Sequence, residues 1–119
     1  MYNKRNLTEP IIEAMQNKKG RDITLIDLSA IEGASAAKFI ICTGNTPTQV
    51  AAIADNVRQE LLDRFKVKPY NYDGYRNRKW IVLDYGDTMI HVFVPDFRQF
   101  YNLEELWSDA PTTLIENQD

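Results

Sequence analysis

Asp84, Asp87 and His91 stand close together in the run Trp80-Ile81-Val82-Leu83-Asp84-Tyr85-Gly86-Asp87-Thr88-Met89-Ile90-His91-Val92-Phe93, and the histidine is the only one in the chain. A histidine beside carboxylates can serve as a general base or a metal ligand. Yet one histidine and two aspartates flanking a turn do not make a zinc set, and no nucleophile accompanies them. A purely structural hairpin has no need of these groups in an otherwise apolar run, so they are either buried with partners or displayed to something. Strand alternation puts Met89, His91 and Phe93 on one face and Ile90, Val92 and Val94 on the other. The all-aliphatic face is the better core surface, which places His91 on the more exposed, contact face.

Five further candidates have weaker claims to chemistry. Gly44-Asn45-Thr46 opens a helix and could offer its N–H groups to a phosphate, but it lacks the glycine spacing and the lysine of a P-loop, so a plain turn with a cap is favoured. Asp22, Asp27 and Asp84 could suggest two-metal chemistry, which needs converging carboxylates. Asp22 and Asp27 are five residues apart and point to opposite faces of a strand, and no strand carries an alternating acidic pair. Cys42 sits in the apolar run Phe39-Ile40-Ile41-Cys42 and reads as a small core residue rather than a reactive thiol. Arg76, Arg78 and Lys79, beside Tyr75 and Trp80, could touch RNA phosphates with aromatic stacking nearby, against the plainer reading of a solvated loop. Trp80 opens a strand among polar residues, as a core edge or an interface anchor would.

The elements that must position these groups follow from periodicity and punctuation. Thr8 is expected to cap a first helix, with Glu9 and Pro10 in its first turn and Ile11, Ile12 and Met15 on one stripe. Asp22–Leu28 and Phe39–Thr43 read as strands separated by a small-residue loop. Thr46, Pro47 and Gln49 specify a helix start as N-cap, first helical residue and capping-box partner, and Val50, Ile53, Val57 and Leu61 carry the helix to about Phe65. A short strand over Lys68–Tyr72, a polar connection over Asp73–Lys79 and the hairpin follow. Pro95 stops the last strand, and Asp96 is expected to cap a helix whose Phe100, Leu103 and Trp107 pack on the sheet. The order α-β-β-α-β-β-β-α predicts one α/β domain with a mixed sheet and packed helices. Residues 1–110 form the domain, and the polar stretch 111–119 is expected to lie loosely on the surface.

Composition sets the outer bounds. A chain of 119 residues, 44% apolar and 26% charged, suits one folded domain with a core of its own. A net charge of −3 argues against broad non-specific nucleic-acid binding and suits a basic protein partner. A single cysteine rules out an internal disulfide. The chain shows no signal segment and no run approaching the ~20 apolar residues of a membrane span. The expectation is a cytoplasmic protein with no membrane association.

The combination of Asp22-Ile23 before a strand, Ile41-Cys42-Thr43-Gly44, Ile53-Ala54-Asp55, Asp73-Gly74, Trp80 to Asp87, His91-Val92-Phe93 and Arg98 to Trp107 resembles the ribosomal silencing factor family, also called Iojap-related. The resemblance covers the chain from about Leu7 to Ala110, and its most specific segments follow Trp80. It implies a nucleotidyltransferase-like α/β topology without transferase activity or cofactor. It also implies binding to the large ribosomal subunit through that subunit's ribosomal protein fourteen, which blocks joining of the small subunit, and a link to ribosome assembly. Carried onto this chain, the partner-binding residues are Asp73, Trp80, Asp84, Tyr85, Asp87, Met89 and His91. Trp80 and Tyr85 would be apolar anchors. Asp73, Asp84 and Asp87 would pair with basic groups of the ribosomal protein, and His91 would orient the turn carboxylates or touch the partner. Where many relatives resemble Asp-Tyr-Phe before the second strand, this chain has Ala37-Lys38-Phe39.

An enzyme that binds a nucleotide or phosphate on the same fold is the alternative from a different class. A Gly-Ser helix opening and alternating strand carboxylates would favour it, and this chain has Gly44-Asn45 and two aspartates flanking a turn. A minor contact to ribosomal RNA through Arg76, Arg78 and Lys79, and a weak homodimer formed by apolar surface meant for the ribosome, complete the expected partners.

Overall fold

The computed structural model describes residues 6–118. Along the chain run α1 (Thr8–Asn17), β1 (Arg21–Asp27), β2 (Lys38–Thr43), α2 (Pro47–Phe65), β3 (Asn71–Asp73), β4 (Trp80–Asp84), β5 (Thr88–Phe93), α3 (Pro95–Tyr101), α4 (Leu103–Leu106) and β6 (Thr112–Leu114). The six strands form one mixed sheet in the order β3-β4-β5-β2-β1-β6. Among the described residues only β2 and β5 pair in parallel, because α2 and the β3–β4 hairpin lie between them and form the crossover. The hairpin of β4 and β5 has the predicted boundaries, with Trp80 opposite Phe93 and Asp84 opposite Met89.

The α2 start follows its sequence signal. Thr46 is extended at the N-cap, its hydroxyl accepts from Gln49 N at 3.1 Å, and Pro47 begins the helix. The return half of the capping box is displaced by one residue, since Gln49 Oε1 accepts from Asn45 N at 2.7 Å. Helical spacing then buries Val50, Ile53, Ala54, Val57 and Leu61 against one face of the sheet. Burying each large aliphatic side chain there stabilises the fold by ~1.5–3 kcal/mol. Ile11, Met15, Ile40, Cys42, Ile81, Leu83, Ile90 and Val92 complete this core. Gly44 is needed where β2 enters α2, since a Cβ there would lie 3.0 Å from Val50 N and 3.1 Å from its Cγ2.

A second core lies on the opposite face, built from Ile26, Leu28, Phe39, Ile41 and Phe93, with Phe97, Leu103 and Trp107 packed over it. This layer overturns the placement of His91 on an exposed face. Strand alternation is as predicted, but α3, α4 and the loop before β2 cover the histidine's side as well, leaving it 4% exposed. Periodicity shows which residues share a face and not whether a distant segment lies over it.

Three local expectations are also corrected. Thr8 does not cap α1: Leu7 holds the N-cap position, and the Thr8 hydroxyl instead accepts from Lys38 Nζ at 2.9 Å. Lys38, the cation that departs from the family pattern, thereby ties β2 to α1. The stretch from 111 does not lie loosely, because Thr112–Leu114 adds β6 to the edge of β1 and Asn117 Oδ1 accepts from Asp22 N at 2.7 Å. The C-terminal helix is broken by Asn102, which takes a left-handed φ of 44°. The break rotates the stripe, so Leu103 and Trp107 face the sheet while Phe100 stands 80% exposed.

Candidate functional site

The sheet face that carries Trp80 is only half covered. α3 and α4 lie over its middle, whereas β3, the Val82–Asp84 part of β4 and Met89 beside it on β5 are not packed over. Registration aligns Asn71, Asp84 and Met89 in one row across the three strands, and Asp73, Val82 and His91 in the next. Directly opposed residues of antiparallel strands share a face. Asn71, Asp73, Val82, Asp84 and Met89 accordingly line a shallow depression of about 340 Å³ with two carboxylates and an apolar floor, while the Tyr72 ring turns to the other face under Arg58.

Trp80 lies next along the same face of β4, two residues before Val82 and opposite Phe93. Its ring stacks on Phe93 at 4.9 Å and meets Tyr101 at 4.6 Å. Its indole N–H donates to His91 Nδ1 at 3.1 Å. Accepting at Nδ1 puts the proton of the neutral ring on Nε2, which is buried without a partner. Burial pulls the His91 pKa down from the usual histidine value to about 4. His91 thus positions Trp80 from beneath; it neither orients the turn carboxylates nor reaches the surface. Phe39, 4.5 Å away between ring centroids, and Phe93 complete its surroundings.

The turn carboxylates have local duties of their own. Asp84 Oδ1 accepts from Gly86 N at 2.8 Å and stabilises the hairpin turn, in which Gly86 has a φ of +90°. Asp87 is exposed, accepts from its neighbour Thr88 Oγ1 at 3.2 Å, and offers its backbone carbonyl to Ala37 N and Lys38 N. Asp73 is exposed at the end of β3. Met89 is half-buried on the floor of the depression. Tyr85 is the second departure from expectation. It turns into the α2-side core, 7% exposed, and burial pushes its phenol up to about 12. As placed it is a core residue and not an anchor at the surface. Of the seven expected contact residues, Asp73, Trp80, Asp84 and Met89 are brought together; Asp87 lies at the turn, and His91 and Tyr85 lie beneath the surface.

Sequence reasoning assigned Phe100, Leu103 and Trp107 to packing alone and so missed an outward aromatic edge. Phe100 meets Tyr101 edge-on at 5.0 Å, and Tyr101 meets Trp80, so the three rings form a ridge bordering the depression. Leu106 stands 68% exposed on the same short helical unit. The asparagine at position 102, a residue type that tolerates left-handed backbone, was the available signal for the break that exposes them.

Gly74 sets the approach to Trp80. It has a φ of +95°, and a Cβ there would fall 1.9 Å from the Trp80 carbonyl oxygen. Gly74→Ala is therefore expected to lower unfolding free energy by about 3 kcal/mol through strain and collision. A urea titration of the variant beside the parent protein checks this, and an unchanged midpoint would contradict the geometry.

The enzymatic features do not assemble. Asp22 and Asp27 lie at opposite ends of β1, opposite the Thr43 and Lys38 ends of β2, and Asp84 lies on β4 beyond β5 and β2. Among the described residues no group of three or more histidine, cysteine or acidic side chains is placed to hold a metal. Three N–H groups around the α2 start are already engaged: Gly44 N donates to Phe93 O, Asn45 N to Gln49 Oε1 and Gln49 N to Thr46 Oγ1. Cys42 is fully buried, and desolvation raises its thiol to about 12, which keeps it protonated and unreactive. Among the described residues no helix is long and apolar enough to cross a membrane.

Residues 2–119 match the family model described as ribosomal silencing factor during starvation. The ribosomal silencing factor of Halalkalibacterium halodurans is 34% identical over 112 residues, covering 94% of this chain and 94% of that protein. The Bacillus subtilis factor is 35% identical over 109 residues, covering 92% and 91% respectively. A crystal structure of a Chromobacterium violaceum protein superposes with a TM-score of 0.80 at 31% identity, covering 86% of this chain and 83% of that one. With its whole described fold inside the matched span and relatives similar over nearly their full length, this chain belongs to the ribosomal silencing factor family.

Proposed function

We propose that this protein represses translation by binding the large ribosomal subunit through its ribosomal protein fourteen and sterically excluding the small subunit. The observation that carries the reading is the bare sheet end. Asp73 and Asp84 flank an apolar floor of Val82 and Met89, with the Trp80 ridge along one side. An apolar patch with an aromatic anchor and carboxylates that form no ion pair among the described residues fits a basic, partly apolar protein surface. The mechanism needs no bond making. A rigid domain seated on the joining surface excludes the other subunit by volume, and the same contact suits a subunit late in assembly. The protein acts in the cytoplasm, where it meets free subunits.

Co-sedimentation with separated subunits, followed by subunit rejoining, tests this reading. Binding to the large subunit alone with reduced joining is expected, and binding to neither subunit would sink it. Reversing charge with Asp73→Lys and Asp84→Lys together is expected to weaken large-subunit binding about tenfold, mostly in the association rate and more at low salt. Stopped-flow association at two ionic strengths reads this effect, and equal rates would remove the carboxylates from the interface. The exposed Arg76, Arg78 and Lys79 border the loop before Trp80 and supply a minor contact to ribosomal RNA phosphates. When no ribosome is present, the same bare face pairs two copies weakly.

A further inference from the structure

α3 and α4 carry the ridge, yet neither helix contains a fully buried residue. Their apolar hold on the sheet comes from the partly buried Phe97, Leu103 and Trp107. Against that thin hold stands one densely bonded side chain. Arg98 Nη1 donates to the Asp22 carbonyl at 2.7 Å and to Thr43 Oγ1 at 2.9 Å. Its Nη2 donates to Thr24 Oγ1 at 2.9 Å and to Glu104 Oε2, and its Nε donates to the same Glu104 oxygen at 3.0 Å. These bonds use every N–H of the guanidinium. They join β1, β2, α3 and the first turn of α4 at one point, with the arginine side chain only 13% exposed.

The acceptors are prepared for this arginine. Asp22 has a left-handed φ of 53° at the irregularity in β1, and Asn117 holds it there through its side-chain oxygen and nitrogen. Thr24 and Thr43 are buried. On α3, Arg98 lies one turn from Tyr101, whose ring backs Trp80. We infer that Arg98 is the positioning residue for the docking face: it clips the α3–α4 unit to the ends of β1 and β2 and so fixes the Tyr101–Trp80 ridge. The inference rests on the reading of that face as the ribosome-binding surface. A simple ion pair with Glu104 would tolerate lysine, whereas a planar fork engaging acceptors on three elements would not.

Arg98→Ala and Arg98→Lys, each in the full chain, are compared with the parent protein by amide exchange and by large-subunit binding. In both variants amides of residues 97–107 are expected to exchange at least tenfold faster, while those of β2 and β5 keep their protection. Large-subunit affinity is expected to fall about tenfold. Unchanged exchange in residues 97–107, equal acceleration across the whole sheet, or full recovery with lysine would each overturn the inference. Parental affinity in both variants would overturn it too. If the parent protein itself bound neither subunit, the functional reading would fall, and the exchange data alone would still decide whether Arg98 clips the unit.

Discussion

Replacing Trp80 by alanine is expected to weaken large-subunit binding by about thirtyfold, the effect of losing a central aromatic anchor worth about 2 kcal/mol. The ring is half-buried, held flat by Phe93 and Tyr101 and fixed in rotation by its hydrogen bond to His91. It therefore meets a partner with little conformational freedom left to lose. Truncation also leaves a gap against Phe93 and Tyr101, so stability should fall by about 2 kcal/mol, below the range for a fully buried tryptophan. Trp80→Phe separates the two effects, because it keeps the stacking and removes the N–H donor. Binding titrations on variants with parental circular dichroism check the expectation. A folded Trp80→Ala protein that binds within threefold of the parent would show that the ridge is not the anchor.

Acid should destabilise the protein through His91. Its folded pKa of about 4 lies below the unfolded value of 6.5, and burial is the cause. Between these values the unfolded chain takes up a proton that the folded protein refuses, so the stability associated with the neutral ring is complete above pH 6.5 and is lost as pH falls towards 4. The shift of ~2.5 pH units corresponds to about 3 kcal/mol, at 1.36 kcal/mol per unit. Protonation at Nδ1 would also set two donors against each other, ending the bond that orients Trp80. Urea unfolding at pH 7, 5.5 and 4.5 measures the decline. His91→Gln offers Trp80 an acceptor that does not titrate in this range and should show a shallower decline. Parallel curves for the parent and His91→Gln would mean that the histidine titrates normally.

How far the site could be read in advance varied from residue to residue. Trp80, Asp84 and Met89 were expected as contacts through the resemblance, and the hairpin's alternation with its Gly86 turn accounts for their sharing one face. Asp73 also came from the resemblance; it was expected in the polar connection after a strand over Lys68–Tyr72, whereas it ends β3 at Asn71–Asp73. His91 was misplaced for a long-range reason: the segments that cover its side come from the loop before β2 and from α3 and α4, with Trp107 meeting Phe39 edge-on at 6.1 Å. Tyr85 was expected as an apolar anchor through the resemblance alone. The turn directs its ring back under the sheet against the α2 core.

Local rules thus sufficed for what neighbouring residues settle among themselves. The Thr46–Pro47 helix start, the hairpin and the mixed α/β class depend on caps, ring constraints and period, which act over a few residues. Family membership was legible because ordered segments from Asp22 to Trp107 carry it jointly. The second core, the β6 edge, the burial of His91 and the Arg98 clip were not legible, because each joins parts of the chain that spacing cannot relate. Arg98 reaches Asp22 and Thr43 only once β1, β2 and α3 have converged. Which face stays bare is equally a property of the assembled layers. A strand's pattern offers two faces, and the docking of α3 and α4 over one part of the sheet leaves Asp73, Val82, Asp84 and Met89 uncovered in the other.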